Sequence, residues 1–543
     1  MSLTAANDAP FEDETDVVAD VVIVGAGPTG LMSALLLANR GHDVAVIEKW
    51  PEPYARPRAV GINHESLRGL QVAGIVDDVR PDIYFTPDGS RRSEMRSAAG
   101  EVLAVRIDLG TSISGWPERA TFCQPLFERT LNELALAHPR IRLLRGWNVT
   151  GVTENGEAAT AHAERWPTGD VGALRVTGSF VVGCDGANSA VRTGALADIV
   201  DLDFAHDWLV VDVVVAEGRV FNPYMGQIFG PPRPITTVNG GPGNRRRWEF
   251  MRLPTESVAE LNLSETAWRL LEPFDVHPGN ATLERHAVYT FQGRWSSTWR
   301  SGRSVLAGDA AHLMPVFLGE GFNSGVRDAL ALTWRLDLIL RGVASDALLD
   351  SYSLERLGHV RQVIEQAVEV GKMICTIDPD AALARDARLR SIADGRTAGF
   401  KPQEWRLGVG LWDESDPRAG YLGVQGRVSL DGKVGLFDDL IDHDGFVLLS
   451  PTDDPRRFLS PPVREAWERI GGFTAHVGVG SSIVDVDGVY ADWFAARGVE
   501  LALFRPDFYV YGTAASPTDA DPVVSRLLHH LGVGFSDVEP QEV

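Results

Sequence analysis

From residue 21 onward, short β-branched runs alternate with longer stretches whose apolar residues recur at helical spacing. Val21-Val22-Ile23-Val24 predicts a buried strand, Gly25-Ala26-Gly27-Pro28-Thr29-Gly30 a glycine turn, and Leu31 to Asn39 a helix. Arg40-Gly41-His42 ends that helix, and Val44-Ala45-Val46-Ile47 predicts a second apolar strand terminating in Glu48. These pieces form one βαβ half. The same alternation runs to about residue 200, with a strand at Phe180-Val181-Val182 and an amphipathic helix from Leu126 to Ala137 that stops before Pro139.

Between about 201 and 295 the pattern changes. Trp208 to Val215, Gly226 to Phe229 and Trp248 to Arg252 read as strands divided by Gly and Pro clusters, which predicts a β-rich insertion. Val305-Leu306-Ala307 is again a buried strand, followed by a glycine-punctuated loop and a long helix from Ser324 to Leu340. The first sheet therefore resumes, and the dinucleotide domain is discontinuous in sequence. Helical patterns persist to about 400, and the Pro- and Gly-rich text from 400 to 425 predicts a linker. Beyond it lies a last αβ segment, with strand signals at Gly445 to Leu449, Val499 to Phe504 and Phe508 to Tyr511.

The expected layout is an acidic disordered tail over 1–17 and a dinucleotide-binding domain over 18–200 with a small substrate-domain excursion near 85–118. A β-rich substrate domain over 201–295, a second part of the dinucleotide domain with helices over 296–410 and a C-terminal domain over 425–543 complete it. The fold class is α/β, a Rossmann-like domain with an inserted β-sheet.

Composition narrows the function. The 543 residues carry 51 Lys and Arg against 74 Asp and Glu, a net charge of −23, which disfavours nucleic acid and anionic membrane as partners. Cys123, Cys184 and Cys375 are far apart and never form CxxC, so neither a zinc site nor a disulfide framework is expected, and a cytoplasmic location fits. No apolar run is long enough to span a bilayer, and the first 17 residues hold five acids and no base, unlike a signal peptide.

The glycine turn carries chemistry. Gly25 permits the tight turn, Gly27 lets the backbone approach a pyrophosphate, and Gly30 lets helix and strand pack closely. Pro28 and Thr29 open the helix whose N-terminus faces the phosphates. Glu48 stands 23 residues beyond Gly25, where a carboxylate accepts from both hydroxyls of an adenosine ribose. This site should hold FAD or NAD.

A second patch reads Gly308-Asp309-Ala310-Ala311-His312, Pro315, then Gly319-Glu320-Gly321-Phe322-Asn323-Ser324-Gly325 and Asp328. A third reads Gly183-Cys184-Asp185-Gly186-Ala187-Asn188-Ser189 through Arg192. Together with the fingerprint these resemble the class A flavoprotein aromatic hydroxylases, the family of para-hydroxybenzoate and phenol hydroxylases. The resemblance covers residues 20 to about 400 and is strongest to the 3-(3-hydroxyphenyl)propionate hydroxylase branch. It is carried also by Pro57-Arg58-Ala59-Val60-Gly61-Ile62, Gln124-Pro125 with Leu131, Arg247-Trp248-Glu249-Phe250-Met251, and Leu348 to Tyr352 with Glu355-Arg356.

The resemblance implies an FAD-dependent monooxygenase that consumes NADH or NADPH and O2 and hydroxylates a small phenolic substrate through a flavin C4a-hydroperoxide. It implies that Arg58 and Gln124 touch the flavin or its pyrophosphate, that Asp309 holds the ribityl chain, and that Asp185 serves both FAD and NAD(P)H. The C-terminal segment resembles the thioredoxin-like domain of phenol hydroxylase relatives; lacking a cysteine pair, it reads as structural or oligomeric, and the family habit suggests a homodimer.

The residues add their own expectations. A helix starting near Gly321 and Asn323 presents free N–H groups to a reduced, anionic flavin. A phenol is activated by an acceptor near its hydroxyl, for which the carbonyl of Pro315 and the side chain of Tyr289 are candidates. Within Arg245-Arg246-Arg247, expected mainly as a solvated hairpin, Arg247 is the better candidate for a substrate carboxylate, and Tyr289 for the ring. His312 reads as completing a hydrogen-bond network. Glu320 stands where relatives usually carry Gln, Val316 where many carry a second Pro and Ala331 where many carry Asn. A carboxylate at 320 beside an anionic flavin must be turned away, protonated or paired with a cation such as Arg327.

Only one complete fingerprint exists, so the nicotinamide nucleotide must visit transiently, and the absence of a redox CxxC excludes a disulfide reductase. A halogenase would carry a WxWxIP signature that is absent. An FAD-dependent oxidase or reductase on a small aromatic or polyketide, and a non-catalytic flavin-binding scaffold, stay open as alternatives. No metal site is expected.

Overall fold

A computed structural model describes residues 15–534 except 87–90, 109, 168–171, 195–196, 222, 397–403, 442 and 479. Its centre is a six-stranded sheet in which the strands Val21–Val24, Val44–Glu48, Phe180–Gly183 and Ser304–Leu306 run parallel. Val21 to Val24 are all buried, because helices and a second sheet cover both faces and no polar alternation is needed. The strand order brings residues 183, 24 and 306 to adjacent carboxyl ends, so three segments far apart in sequence emerge at one edge. That edge is where an open parallel sheet accepts ligands.

The fingerprint helix begins at Pro28, three residues before the apolar run, since proline's missing N–H costs nothing at the first helical position. The helix after the second patch spans Gly321–Leu340 and is buried from Asn323 through Leu338. It packs on the fingerprint helix, and Thr29 sits so tightly between the two motifs that a Cβ on Gly308 or Gly325 would come within 2.7 or 2.3 Å of its hydroxyl.

The β-rich insertion is an eight-stranded sheet. Arg91–Arg96 and Val102–Asp108, from the expected excursion, join it at one edge beside Met225–Ile228. Ile199–Val215 and Ala281–Ser296 form its long antiparallel centre. One face packs on two short helices through Leu209, Val211, Trp248 and Phe250, and the other, through Trp208, Val210, Met251 and Phe291, closes on the dinucleotide domain.

Two expected boundaries move. Residues 1–14 lie outside the described residues, but Thr15–Val18, expected as the end of a tail, form a strand paired in parallel with Leu174–Thr177, where Asp16 is held by Arg175. The expected linker is irregular yet firmly docked. Leu407, Leu411, Trp412 and Ala419 are buried in a core shared with Trp334 and Leu338 of the long helix and with the last domain. That domain carries a four-stranded mixed sheet, with Val447–Ser450 parallel to Phe473–His476 and antiparallel to Leu501–Phe504, flanked by helices in the thioredoxin-like manner.

A buried ionic junction joins it to the rest. Glu355, fully buried, accepts from Arg335 (2.7 Å) and from Arg505 of the last domain (2.9 Å), and Arg505 also pairs with Asp507. Charges buried this deeply persist because each has its partner and a satisfied hydrogen-bond set.

Candidate functional site

The three motifs meet backbone to backbone. A Cβ on Gly25, whose φ is +105°, would lie 2.4 Å from the carbonyl oxygen of Cys184, next to Asp185, and one on Gly30 would lie 2.0 Å from the carbonyl oxygen of Gly25. Gly27 differs: its φ of −78° suits any residue and its Cβ would meet nothing within 4 Å. Its missing side chain leaves open space above the helix start, where a pyrophosphate would lie. Glu48 is pinned at the strand end by the N–H groups of Ala26 (2.8 Å) and Trp50 (2.9 Å).

Asp185 accepts from the N–H of Ala190 (2.7 Å), and its other carboxylate oxygen is buried with no partner among the described residues. Burial holds its carboxyl above the usual range. Arg192 ties this loop to the second patch, donating to the carbonyls of Ala187 (2.6 Å) and Ala310 (2.7 Å). Asp309 is exposed to the groove and takes part in no hydrogen bond among the described residues, whereas Asp328 is fully engaged by Gly308 N–H, His312 and Arg356. The Arg356 and His312 contacts outweigh burial and bring the Asp328 carboxyl down to about 2. His312, stacked on Trp299, does complete a network.

Two of the expected cofactor contacts act at one remove. The side-chain oxygen of Gln124 accepts from the N–H groups of Arg58 (3.1 Å) and Ala59 (2.5 Å), and its amide donates to Glu128, so it shapes the Arg58 loop. Asn323 donates to Gly319 (2.8 Å) and accepts from Asn63 N–H and the Ser66 hydroxyl, which fixes the loop before the helix. The first turn of that helix remains open: Ser324 N–H reaches Glu320, but among the described residues no acceptor engages the N–H of Gly321, Phe322 or Asn323. Pro315 is buried and opens the 3-10 turn Val316–Leu318 that precedes the helix.

Of the three ways to tolerate Glu320, the protein uses pairing. Glu320 is 2% exposed and accepts from Arg327 (2.9 Å) and Asn63 (3.2 Å). Arg327 also holds Glu65 (2.5 Å), whose other oxygen accepts from Tyr509 of the last domain (2.9 Å). The two carboxylates raise the Arg327 pKa, locking the guanidinium in its charged form.

A cavity of about 1220 Å³ opens from this loop. Phe317, Leu318 and Glu320 line it together with Met95, Ala104, Met225 and Gln227 of the inserted sheet and Leu422 and Tyr509 of the last domain. His64 also faces it, bonded to Ser114 (3.0 Å), and burial lowers its pKa to about 4, so it is neutral at pH 7.

Neither Tyr289 nor Arg247, both expected at the substrate, lines this cavity. Arg247 lies opposite Asp212 in the sheet, is 3% exposed, pairs with Asp212 through Nε (2.7 Å) and Nη2 (3.0 Å), and donates Nη1 to the carbonyl of Arg58 (2.5 Å). Tyr289 lies on the same face beneath the Arg285 guanidinium, 4.6 Å from its ring centre. The Arg245–Arg247 run is no solvated hairpin, since Arg246 is tied to Thr237, Tyr224 and Pro223, and Arg245 to Glu284. The neighbours that decide these positions come from other strands. Nothing in the local sequence singles out His64, Glu65 or Tyr509; only their packing around Arg327 does.

This donor set fits FAD: a pinned ribose acceptor at Glu48, an open pyrophosphate cradle at Gly27, a free carboxylate at Asp309 and a helix start with unclaimed N–H groups. A family model described as FAD binding domain matches residues 18–367, and one described as HcaD C-terminal domain matches residues 420–530. The chain belongs to the FAD-binding-domain family of aromatic hydroxylases. It is 33% identical over 521 residues to a probable NADH-specific resorcinol 4-hydroxylase of Rhodococcus jostii (strain RHA1), covering 94% of each chain. It is 32% identical over 590 residues to a 3-(3-hydroxy-phenyl)propionate/3-hydroxycinnamic acid hydroxylase of Paraburkholderia xenovorans (strain LB400), covering 95% of this chain and 92% of that one. The fold matches the crystal structure of the flavin-dependent monooxygenase PieE in complex with FAD and substrate, with a TM-score of 0.79 at 21% identity over 95% of this chain and 100% of that one. In this hydroxylase no described helix is long and apolar enough to cross a membrane, and no described cluster of side chains could hold a metal.

Proposed function

We propose that this hydroxylase inserts one oxygen atom of O2 into a phenolic ring held in the cavity beside Phe317 and Leu318, with NADH or NADPH as a transient reductant. The balance is phenol, O2, NAD(P)H and a proton giving hydroxylated phenol, water and NAD(P)+. Bound FAD supplies the redox chemistry, taking a hydride from the nicotinamide and activating O2.

The chain's residues do the rest. The unclaimed N–H groups of Gly321 to Asn323 favour negative charge at the helix start. Arg327 neutralises Glu320, so that no free carboxylate opposes it. Pro315 lies at the start of the turn that carries Phe317 and Leu318 but does not itself line the cavity, so no contact with the phenolic hydroxyl is assigned to its carbonyl. The apolar wall of Met95, Ala104 and Met225 excludes water from the ring. Asp309 holds the ribityl chain, and Asp185 completes the cofactor's surroundings through its unpartnered oxygen. We assign Arg247 and Tyr289 to holding the inserted sheet against the Arg58 loop. The three cysteines are free, in keeping with a cytoplasmic enzyme.

The observation that carries this reading is the cavity lined both by Phe317, Leu318 and Glu320, just before the helix start, and by the inserted sheet. The test is NAD(P)H oxidation and O2 uptake with a panel of phenols, with products identified by mass. Stimulated oxidation matched by hydroxylated product is expected; peroxide accounting for all O2 consumed would replace this reading with an oxidase.

A further inference from the structure

Arg91 sits on the inserted sheet's strand next to the edge, lines the cavity and is 6% exposed. Its Nε and Nη1 are buried without a hydrogen-bond partner, and no ion pair engages it, among the described residues. The other buried or half-buried arginines of the wall are all occupied: Arg106 by Asp108, Arg119 by the Leu318 carbonyl, Arg327 by Glu65 and Glu320, and Arg385 by Asp386 and the Gly230 carbonyl. Acids near Arg91 are engaged elsewhere. Asp108, directly opposite it in the sheet, holds Arg106 (2.6 Å), and Glu94 holds Arg92 (2.6 Å) and Arg96 (2.8 Å).

The guanidinium is nonetheless held in place. It lies 4.5 Å from the centre of the Tyr224 ring, a cation–π contact. Tyr224 is fixed in turn by its hydroxyl bond to Thr121 (2.6 Å), which donates to Asn239 (2.8 Å), and by stacking on Tyr84. A desolvated guanidinium short of hydrogen-bond partners is costly unless an anion comes to it, and a carboxylate is the anion that suits it.

We propose that Arg91 is the specificity-determining residue of the cavity and receives a carboxylate carried by the phenolic substrate. The inference rests on the proposed phenol hydroxylation and adds the substrate's charge. It favours a hydroxyaryl acid over an uncharged phenol.

The test compares 3-(3-hydroxyphenyl)propionate with its neutral amide in the wild-type holoenzyme and in Arg91→Met and Arg91→Lys. Charge-assisted bonds of this kind are worth about one to two powers of ten in binding, so Arg91→Met should lower kcat/KM for the acid by about 30-fold. Most of that loss should appear in KM, with the amide changed by less than roughly threefold, FAD content kept, and Arg91→Lys in between. Equal losses on acid and amide, or no loss on the acid, would overturn the assignment. Should Arg91→Met fail to fold, the wild type still decides: flavin absorbance titrated with 3-phenylpropionate and with 3-phenylpropanamide should show the acid binding at least tenfold tighter, and equal affinity refutes Arg91's role. Failure of every phenol to stimulate wild-type NAD(P)H oxidation would refute the hydroxylase reading instead, while that titration still judges Arg91.

Discussion

Gly27 and Gly30 belong to one motif, but the structure predicts opposite consequences for replacing them. At Gly27 the backbone conformation admits any residue and a Cβ meets no protein atom within 4 Å, so Gly27→Val should leave the apoprotein's stability within about 1 kcal/mol of wild type. The new side chain would fill the space over the helix start and push a pyrophosphate away from the N–H groups there. Losing two charge-assisted hydrogen bonds at about 1.5–3 kcal/mol each removes about 3–6 kcal/mol, or roughly 10²- to 10⁴-fold in FAD affinity. At Gly30 a Cβ would sit 2.0 Å from the carbonyl oxygen of Gly25, so helix and strand must separate. Gly30→Ala should therefore destabilise the apoprotein itself, by about 2 kcal/mol or more. The assays are FAD titration of apoprotein by flavin fluorescence quenching and urea denaturation of the same samples. A yellow, fully loaded Gly27→Val protein, or a Gly30→Ala apoprotein as stable as wild type, would refute the reasoning.

Other substitutions probe separate parts. Asp309→Ala removes a carboxylate with no protein partner, so FAD affinity should fall by about tenfold while apoprotein stability holds, as isothermal titration and thermal melting would show. Glu355→Gln leaves Arg335 and Arg505 buried against an uncharged amide and should cost about 3–5 kcal/mol in urea denaturation, with the last domain loosening first in hydrogen exchange. His64 has a folded pKa near 4 against an ordinary value of 6.5, so the unfolded chain binds its proton first as pH falls. Its contribution to stability is therefore present above 6.5 and declines as pH drops from 6.5 toward 4, amounting to about 2 kcal/mol lost at pH 5. His64→Asn should flatten that part of the stability profile, and an unchanged profile would place the histidine in water.

Elements whose neighbours are close in sequence, or whose character is set by burial on both faces, were legible from the chain alone. The strand, turn and helix from Val21 to Asn39 obey local rules of apolar run, glycine turn and helix start, and so does the resumption of the sheet at Val305. Glu48 could be placed because its distance from the fingerprint is a consequence of one helix and one strand. By contrast, the roles of Arg247 and Tyr289 depended on which residue lies across the sheet, and register between strands 35 residues apart is not written in either strand. Residues 400–425 looked like a linker because glycine and proline prevent regular structure; they do not prevent packing, and Leu411 and Trp412 dock.

The sequence by itself determined the class of cofactor and the order of the domains, since both follow from short motifs and periodicities that any window of chain displays. Tertiary structure alone decided the fate of individual charges. Glu320 is harmless because Arg327 reaches it, Arg247 is withdrawn because Asp212 faces it, and Arg91 is left without a carboxylate because Asp108 across the sheet is held by Arg106. Pairing energies depend on distance and desolvation, and those are properties of the folded arrangement that no residue carries alone.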